Sequence, residues 1–404
     1  MYITAIDLGS SKIKILVAEI GKGELRLVDV FDFPSAGIRK GEVCDVQDVV
    51  KNLSKIFEEI KKINKNTVKN IFVNLGGKNV KLQNSRGIIA VSHADNEIYQ
   101  DDIDRVIKAS QAINISANRK ILHTIIQEYV VDGIEEIKNP IGMSGTRLEV
   151  NSVIIDAFNP TVNDLNKSIE IAGGKIADII YSPVAASSAV LNKTHKELGS
   201  VLIDIGFSTT GMAVFEEDRL VGAKVFPLGS SNITNDLAIA LKASIETAEN
   251  IKISYGHAFS RDVSAKDKID LSEIDENLKA IVSKKYIAEI IEVRLAEIFE
   301  LIHIELKILG KTQLPAGAIL CGGGAKIDGI IELAKHELKL PIHMANYDLS
   351  LFNGTGDDII SKSEGLEFAL SIGLLNYGCG QYMEKNPKWE KNDFISKVFR
   401  NLMP

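Results

Sequence analysis

Two aspartates, Asp7 and Asp204, each interrupt an apolar β-branched run, and each is followed by a glycine and a cluster of hydroxyls. The first stretch reads Ile3-Thr-Ala-Ile-Asp-Leu-Gly-Ser-Ser-Lys12 and the second Val201-Leu-Ile-Asp-Ile-Gly-Phe-Ser-Thr-Thr-Gly211. Gly9 and Gly206 let an anion approach the main chain. Ser10, Ser11, Thr209 and Thr210 offer hydroxyl and N–H donors, and Lys12 adds a point charge. Asp7 and Asp204 repel one another if they face, unless a cation or its water shell lies between them. Mg²⁺ suits that role, because it keeps several waters and borrows only one or two carboxylates. The chemistry predicted is therefore the clamping of a metal-bound polyphosphate. Either stretch alone reads equally well as an ordinary buried-strand hairpin with a polar turn; it is the recurrence after nearly half the chain that points to a duplicated architecture.

The elements that must hold these tips follow from hydrophobic periodicity. Each aspartate ends a predicted strand, and a second strand returns at Ile13 to Ile20 and at Met212 to Phe215. A third strand is expected at Leu25 to Phe33. Asp48 is then predicted to cap a helix whose apolar stripe is Val49, Leu53, Ile56, Phe57, Ile60 and Ile63, followed by strand Asn70 to Leu75. This βββαβ order differs from the strand, glycine loop and helix that open P-loop and nicotinamide-binding domains. A self-contained α+β segment is predicted from 81 to 158, with strands at Gly87 to Val91, Lys120 to Val131 and Arg147 to Phe158 and a helix at Asp102 to Ala112. His93 and His123 stand isolated in it and read as structural.

Beyond the segment, Thr161 is expected to cap a helix, Val162 to Ala172. Strand Ile176 to Tyr181 leads to a small-residue helix, Val184 to Leu191. After the second hairpin a strand, Leu220 to Leu228, runs to Gly229, which begins a helix. Ile245 to Tyr255 carries Glu249 and Lys252 three residues apart, a spacing that also describes a plain surface ion pair. A charged lobe from Arg261 to Glu276 precedes a long helix, Ser283 to Leu309. Strand Gly317 to Cys321 then opens onto Gly322, Gly323 and Gly324, whose bare backbone suits a flat ligand. The last small-residue helix is expected at Glu364 to Leu375, with a linker from Gly378 to Lys388.

The C-terminal residues form a separate pattern. Phe394, Ile395, Val398, Phe399 and Leu402 fall on one half of a helix, whereas Lys397 and Arg400 fall on the other. From Lys388 onward there are four basic residues against two acidic ones. A basic amphipathic end on an acidic body suits an interfacial membrane anchor or a helix that docks in a protein groove, and the pattern fits both. The whole chain, 404 residues with a net charge of −7, is of a size for two to three domains and is not that of a general nucleic-acid binder. Its three cysteines match no metal motif and are odd in number, which predicts a reducing, cytosolic setting. No signal peptide or spanning helix is read in it.

The paired hairpins, Ser182-Pro-Val-Ala-Ala186, Pro227-Leu-Gly229, Glu249 with Lys252, and Cys321-Gly-Gly-Gly324 resemble the actin, sugar kinase and heat-shock chaperone ATPase superfamily. Within it, Asn84-Ser-Arg-Gly87, His123 with Gln127-Glu-Tyr-Val-Val-Asp-Gly133, Pro140-Ile-Gly-Met-Ser-Gly-Thr-Arg-Leu-Glu149, Tyr255-Gly-His-Ala258 and the amphipathic tail are similar to the bacterial FtsA family over essentially the full length. That resemblance implies an α/β, actin-like fold of two domains around a nucleotide cleft, with an inserted α+β subdomain and the C-terminal amphipathic helix. It implies a first domain from 1–80, 159–196 and 364–380, the insert at 81–158, a second core from 197–233 and 315–363, an outer subdomain at 234–314, and a linker with the membrane-targeting helix at 381–404.

It also implies ATP and Mg²⁺ in the cleft, with Gly229, Glu249, Lys252 and the triple glycine joining the hairpins around the nucleotide, and water-mediated metal contacts from Asp7 and Asp204. Implied partners are the tail of the tubulin-like FtsZ, further copies of the chain, the anionic cytoplasmic face of the bacterial inner membrane at the division site, and later division proteins. Phe207 stands where the superfamily commonly has glycine, and Gly211 where an acidic residue often follows, so weak ATPase activity at most is expected. A small-molecule kinase and a pilus-assembly actin-like adaptor are the competing readings within the superfamily.

Overall fold

The computed structural model describes residues 1–384 apart from 22, 23, 277, 348, 350, 351, 353 and 354. The tail residues Phe394 to Leu402 lie outside the described residues. In the first half, β1 (Tyr2–Leu8), β2 (Lys12–Gly21) and β3 (Glu24–Pro34) form an antiparallel meander; β1 and most of β2 are nearly continuous apolar runs covered on both faces, whereas the edge strand β3 alternates apolar and charged residues. A small hairpin, β4 (Ile38–Arg39) and β5 (Glu42–Val43), leads into α1 (Val46–Lys61). The predicted stripe buries Val49, Leu53, Ile56, Phe57 and Ile60, but the cap is Asp45 and not Asp48. The Asp45 carboxylate accepts the Gln47 and Asp48 N–H groups, and Asp48 lies within the first turn, where its charge favours the helix dipole. Then β6 (Ile71–Leu75) joins β1 in parallel.

The inserted lobe comprises β7 (Val80–Ala90), α2 (Gln100–Ser110), β8 (Arg119–Val131), β9 (Ile134–Ile137) and β10 (Arg147–Phe158). Its strands form a separate sheet in the order β7-β10-β8-β9. Strand β9 was not among the predicted elements. Its signal is the pair Asp132-Gly133, whose φ angles of 48° and 87° build a tight hairpin from an Asp-Gly turn. The chain returns through α3 (Asn159–Ile171), β11 (Ile176–Tyr181, parallel to β6), α4 (Ser182–Val190) and α5 (Lys193–Leu198). Helix α3 starts earlier than predicted, with Pro160 in its first turn and Thr161 already inside, because the proline ring is preorganised for that position.

The second half repeats the first. Strands β12 (Ser200–Ile205), β13 (Thr210–Glu216) and β14 (Arg219–Phe226) form the meander. Helices α6 (Ser230–Leu241) and α7 (Ile245–Tyr255), the hairpin β15 (Lys268–Asp270) and β16 (Ile281–Ser283), and α8 (Lys284–Ile308) form an outer lobe. After it, β17 (Ala318–Cys321), α9 (Ile330–Leu338) and β18 (Ile342–Met344) complete the sheet. The two main sheets run β3-β2-β1-β6-β11 and β14-β13-β12-β17-β18. Each is a meander followed by two parallel strands, so the repeated aspartate motif occupies the same place in both.

Two helices end the described chain, α10 (Asp357–Ser363) and α11 (Ala369–Glu384). The last begins five residues later than predicted and runs through Gly378, where a linker was expected. Glycine here serves close packing and does not break the helix. A Cβ on Gly378 would lie 2.7 Å from the Phe72 ring, and one on Gly373 would lie 1.8 Å from the Ala185 carbonyl oxygen. Helix α11 therefore presses directly on β6 and on α4, and Ser188 Oγ donates to the Gly373 carbonyl at 3.1 Å. The crossing of α4 and α11 lies in the largest buried apolar cluster, which joins residues of both main sheets.

Candidate functional site

The tips of the β1–β2 and β12–β13 hairpins face one another across a cavity of about 470 Å³. Asp7, Gly9, Ser10, Ser11 and Lys12 line it from the first half. From the second half come Asp204, Gly206 and Thr209, Glu249 and Lys252 on α7, and Gly322, Gly323 and Gly324 after β17. Thr210 and Gly229, two further residues selected from sequence, stand behind this wall. Strand alternation turns Thr210 inward, where it is fully buried and its Oγ1 donates to the Leu228 carbonyl at 2.9 Å. Gly229 caps α6 so tightly beneath the tip that a Cβ there would lie 2.7 Å from both the Gly206 and Phe207 carbonyls.

Lys12 is not the cation that faces the aspartates. Its ammonium reaches Asp32 at 2.5 Å and its side chain is 57% exposed. The residue that sequence reading missed is Lys14, directly opposite Asp7 in the β1–β2 register, with its ammonium 3.3 Å from Asp7 Oδ2. Counting strand register back from the hairpin turn would have found it. Burial works to lower the Lys14 pKa, but Asp7, Asp204 and Asp32 outweigh it and the group stands above its ordinary value. Asn74 on β6 was missed as well. Its Oδ1 accepts the Leu8 N–H at 2.7 Å, and its Nδ2 donates to Ser182 Oγ at 3.2 Å and to Asp7 Oδ1 at 3.4 Å.

The carboxylates carry the electrostatics. Burial raises the Asp7 pKa against the opposing effect of Lys14. Asp204 is pushed up to about 6 by burial and then by Asp7, with Lys14 offsetting part of the rise. Gly322, at φ 85°, lies so close that a Cβ would come within 2.3 Å of Asp204 Oδ1. Two carboxylates, Asp7 buried and Asp204 half-buried, thus share one ammonium, which leaves charge for a divalent cation to balance.

On the opposite wall Glu249 and Lys252 are not a surface pair. Lys252 is buried, with its Nζ donating to Glu249 Oε2 at 2.7 Å, to Thr234 Oγ1 at 2.9 Å and to the Ser230 carbonyl at 3.4 Å. Burial lowers its pKa, with Glu249 opposing. Beside this pair the wall carries apolar side chains and bare backbone. Ile253 and Ile327 line it, and a Cβ on Gly323 would meet no atom within 4 Å. Ala258 N–H donates to the Asp328 carbonyl at 2.7 Å, fastening the Tyr255-Gly-His-Ala258 turn beside the glycines. Donor-rich tips, an unbalanced carboxylate pair and a bare glycine wall fit a nucleotide with a divalent cation.

The family described as "Cell division protein FtsA" matches residues 201–373, and the one described as "SHS2 domain inserted in FTSA" matches residues 77–156. The chain is 33% identical over 379 residues to the cell division protein FtsA of Bacillus subtilis, covering 94% of this chain and 83% of that one. It is 34% identical to the protein of the same name from Pseudomonas aeruginosa, covering 93% and 89%. Among solved structures it is similar to a PilM-PilN type IV pilus biogenesis complex, with a TM-score of 0.62, 15% identity and coverage of 93% and 98%. It is similar also to MreB 5 of Spiroplasma citri bound to AMPPNP, with a TM-score of 0.54, 15% identity and coverage of 97% and 98%. At such identities the likeness is one of fold: the chain has the actin-like ATPase architecture with an inserted lobe.

Proposed function

Since the chain belongs to the FtsA family of cell-division proteins, we propose that it is an ATP-binding, actin-like scaffold that polymerises and tethers FtsZ filaments to the cytoplasmic membrane at the division site. The observation that carries this reading is the pair of duplicated hairpin tips converging on one cavity, with Asp7 buried and Lys14 and Asp204 half-buried in its wall. In this reading Gly9, Ser10, Ser11, Ser208 and Thr209 donate to the phosphates, Gly206, whose N–H goes to the Thr209 carbonyl at 2.9 Å, leaves room for them, and Lys14 favours the charged form of Asp7. Asp7 and Asp204 hold Mg²⁺ through water, and the cation neutralises charge on the phosphates. Glu249 and Lys252 face the sugar, and Gly322, Gly323 and Gly324 take the base.

The site is built to hold nucleotide more than to turn it over. Phe207 occupies cavity wall in place of a small residue, and Gly211 presents no acid toward the reacting phosphate. Weak ATPase activity at most is proposed. Occupancy then shifts the polymer equilibrium by the difference in affinity between its two states.

Membrane attachment rests on the sequence pattern of Phe394, Ile395, Lys397, Val398, Phe399, Arg400 and Leu402. Among the described residues no helix is long and apolar enough to cross a membrane. A polymer carrying many short anchors binds by avidity. The tubulin-like FtsZ tail, further copies of the chain and later division proteins are the proposed partners. Flotation with anionic vesicles tests the tail: the full chain floats with ATP, and a chain truncated after Asn386 stays in the soluble fraction. Nucleotide affinity tests the cavity: Asp7→Ala and Asp204→Ala each weaken ATP binding at least tenfold, and unchanged binding refutes the site.

A further inference from the structure

We propose that the inserted lobe carries a second metal site, outside the nucleotide cleft, in which His93, Asp101 and Asp102 bind a divalent ion of the Zn²⁺ class. His93 was read from the sequence as isolated, but folding brings it against the start of α2. Its Nε2 lies 3.3 Å from Asp102 Oδ2 and 3.4 Å from Asp101 Oδ2. The Nε2 atom itself is screened from solvent although the side chain is 33% exposed, and it is within ion-pair range of both carboxylates and hydrogen-bonded to neither. The three ligand atoms all lie within 4.8 Å of one another. Zinc bonds imidazole nitrogen and carboxylate oxygen at about 2.0–2.2 Å, so neighbouring ligands in a tetrahedral site stand roughly 3.3–3.5 Å apart. Both distances from His93 Nε2 have that length, which is longer than a good hydrogen bond.

The surrounding groups already fix Asp102 and pack against the His93 ring. Asp102 is fully buried, and its Oδ2 accepts the Tyr99 N–H at 3.1 Å while Arg105 holds its Oδ1 at 3.0 Å. The Tyr99 ring meets the His93 ring edge-on at 4.7 Å, and its hydroxyl donates to Asp95 at 2.7 Å. Ligand orientation by outer hydrogen bonds of this sort is how proteins set metal affinity. Arg105 balances one of the two carboxylates, and the other leaves net negative charge for a cation. Asp101 is exposed, so the ion has a path from solvent and water can complete its shell. The N/O donor set suits Zn²⁺ or Co²⁺ better than Mg²⁺, which prefers oxygen alone. Bound metal would clamp the exit of β7 to the first turn of α2.

The test is titration of the nucleotide-free full chain with Co²⁺, followed by its visible absorption, with Zn²⁺ as competitor. His93→Gln and Asp101→Asn remove one ligand each, and the exposed Asp101 can be changed without disturbing the core. Asp204→Asn separates any ion taken up in the nucleotide cleft. Expected is one Zn²⁺-displaceable equivalent of Co²⁺ that Asp204→Asn retains and that both lobe variants bind at least tenfold more weakly. A smaller change in either lobe variant overturns the assignment, as does loss of the equivalent in Asp204→Asn.

Discussion

Ser208 Oγ donates to Ser10 Oγ at 2.7 Å, so the tips of the two duplicated hairpins touch through their hydroxyls. The β4–β5 turn joins this contact from the side, with Lys40 N–H donating to Ser208 Oγ at 3.1 Å. A phosphate between the tips must compete for the same hydroxyls, which links occupancy to the position of that turn. Ser208→Ala should free the Lys40 amide in the nucleotide-free protein. A hydrogen bond worth about 1 kcal/mol corresponds to roughly fivefold faster exchange. Hydrogen exchange resolved at Lys40 checks this, with buried β12 amides unchanged; an unaltered Lys40 rate contradicts it.

Asp204 gives the cleft a pH dependence of definite sign. Its pKa, raised to about 6 from 3.8, means the folded protein holds a proton that the unfolded chain has released. The resulting stabilisation is complete below the unfolded value and is lost as pH rises through about 6, so at neutral pH the ligand-free protein carries a desolvated charge at a cost. A divalent cation that needs the ionised carboxylate binds in the opposite sense. Affinity for Mg²⁺-nucleotide should rise up to tenfold per pH unit below about 6 and level off above it. Calorimetric titration across that range, with Asp204→Asn, measures it; an equal slope in the variant contradicts the assignment to Asp204.

The inserted lobe leans on the second half of the molecule. Glu128 on β8 accepts from Arg219 on β14 at 3.0 Å, and Gln127 Nε2 donates to the Leu220 carbonyl at 3.0 Å. Glu128 is largely buried, while Arg219 is partly exposed, so the pair is screened on one side only. Arg219→Ala should cost about 1 kcal/mol, less than a fully buried pair, because Asn151 and the Glu136 N–H still satisfy the carboxylate. Chemical denaturation checks the magnitude. Faster exchange in β8, with β1 unaffected, would locate the loss at this contact.

What the sequence revealed of the site and what it hid have the same physical origin. Asp7 and Asp204 were legible because a carboxylate at the end of a buried apolar run conflicts with its surroundings, and because the conflict occurs twice. Lys14 was illegible by composition, since it reads as one more polar residue in the alternating start of β2, Lys12-Ile-Lys-Ile15; only its register opposite Asp7 shows its role. Thr210 was misplaced for the same reason, one residue of alternation turning it from cavity to core. Gly378 read as a linker because glycine weakens helices locally, whereas tertiary contact with Phe72 decides its state. His93 acquires its partners only when α2 folds back on the end of β7.

Two glycines should respond in opposite ways to the same substitution. Gly373 lies where α11 crosses α4, and the Cβ of Gly373→Ala would stand 1.8 Å from the Ala185 carbonyl oxygen and 2.5 Å from its carbon. Both are backbone atoms of a packed helix, so the helices must separate. The expected cost is about 1–3 kcal/mol, with a fall of several degrees in Tm. Gly323→Ala adds the same methyl where no protein atom lies within 4 Å, in a backbone conformation open to any residue. Its Tm should stay within about a degree of the parent, since an unopposed surface change is close to neutral. The methyl instead projects into the space assigned to the base, so nucleotide affinity should fall severalfold. Thermal melts with and without nucleotide separate the effects. A stable Gly373→Ala would contradict the packing argument, and a Gly323→Ala that binds nucleotide normally would contradict the placement of the base.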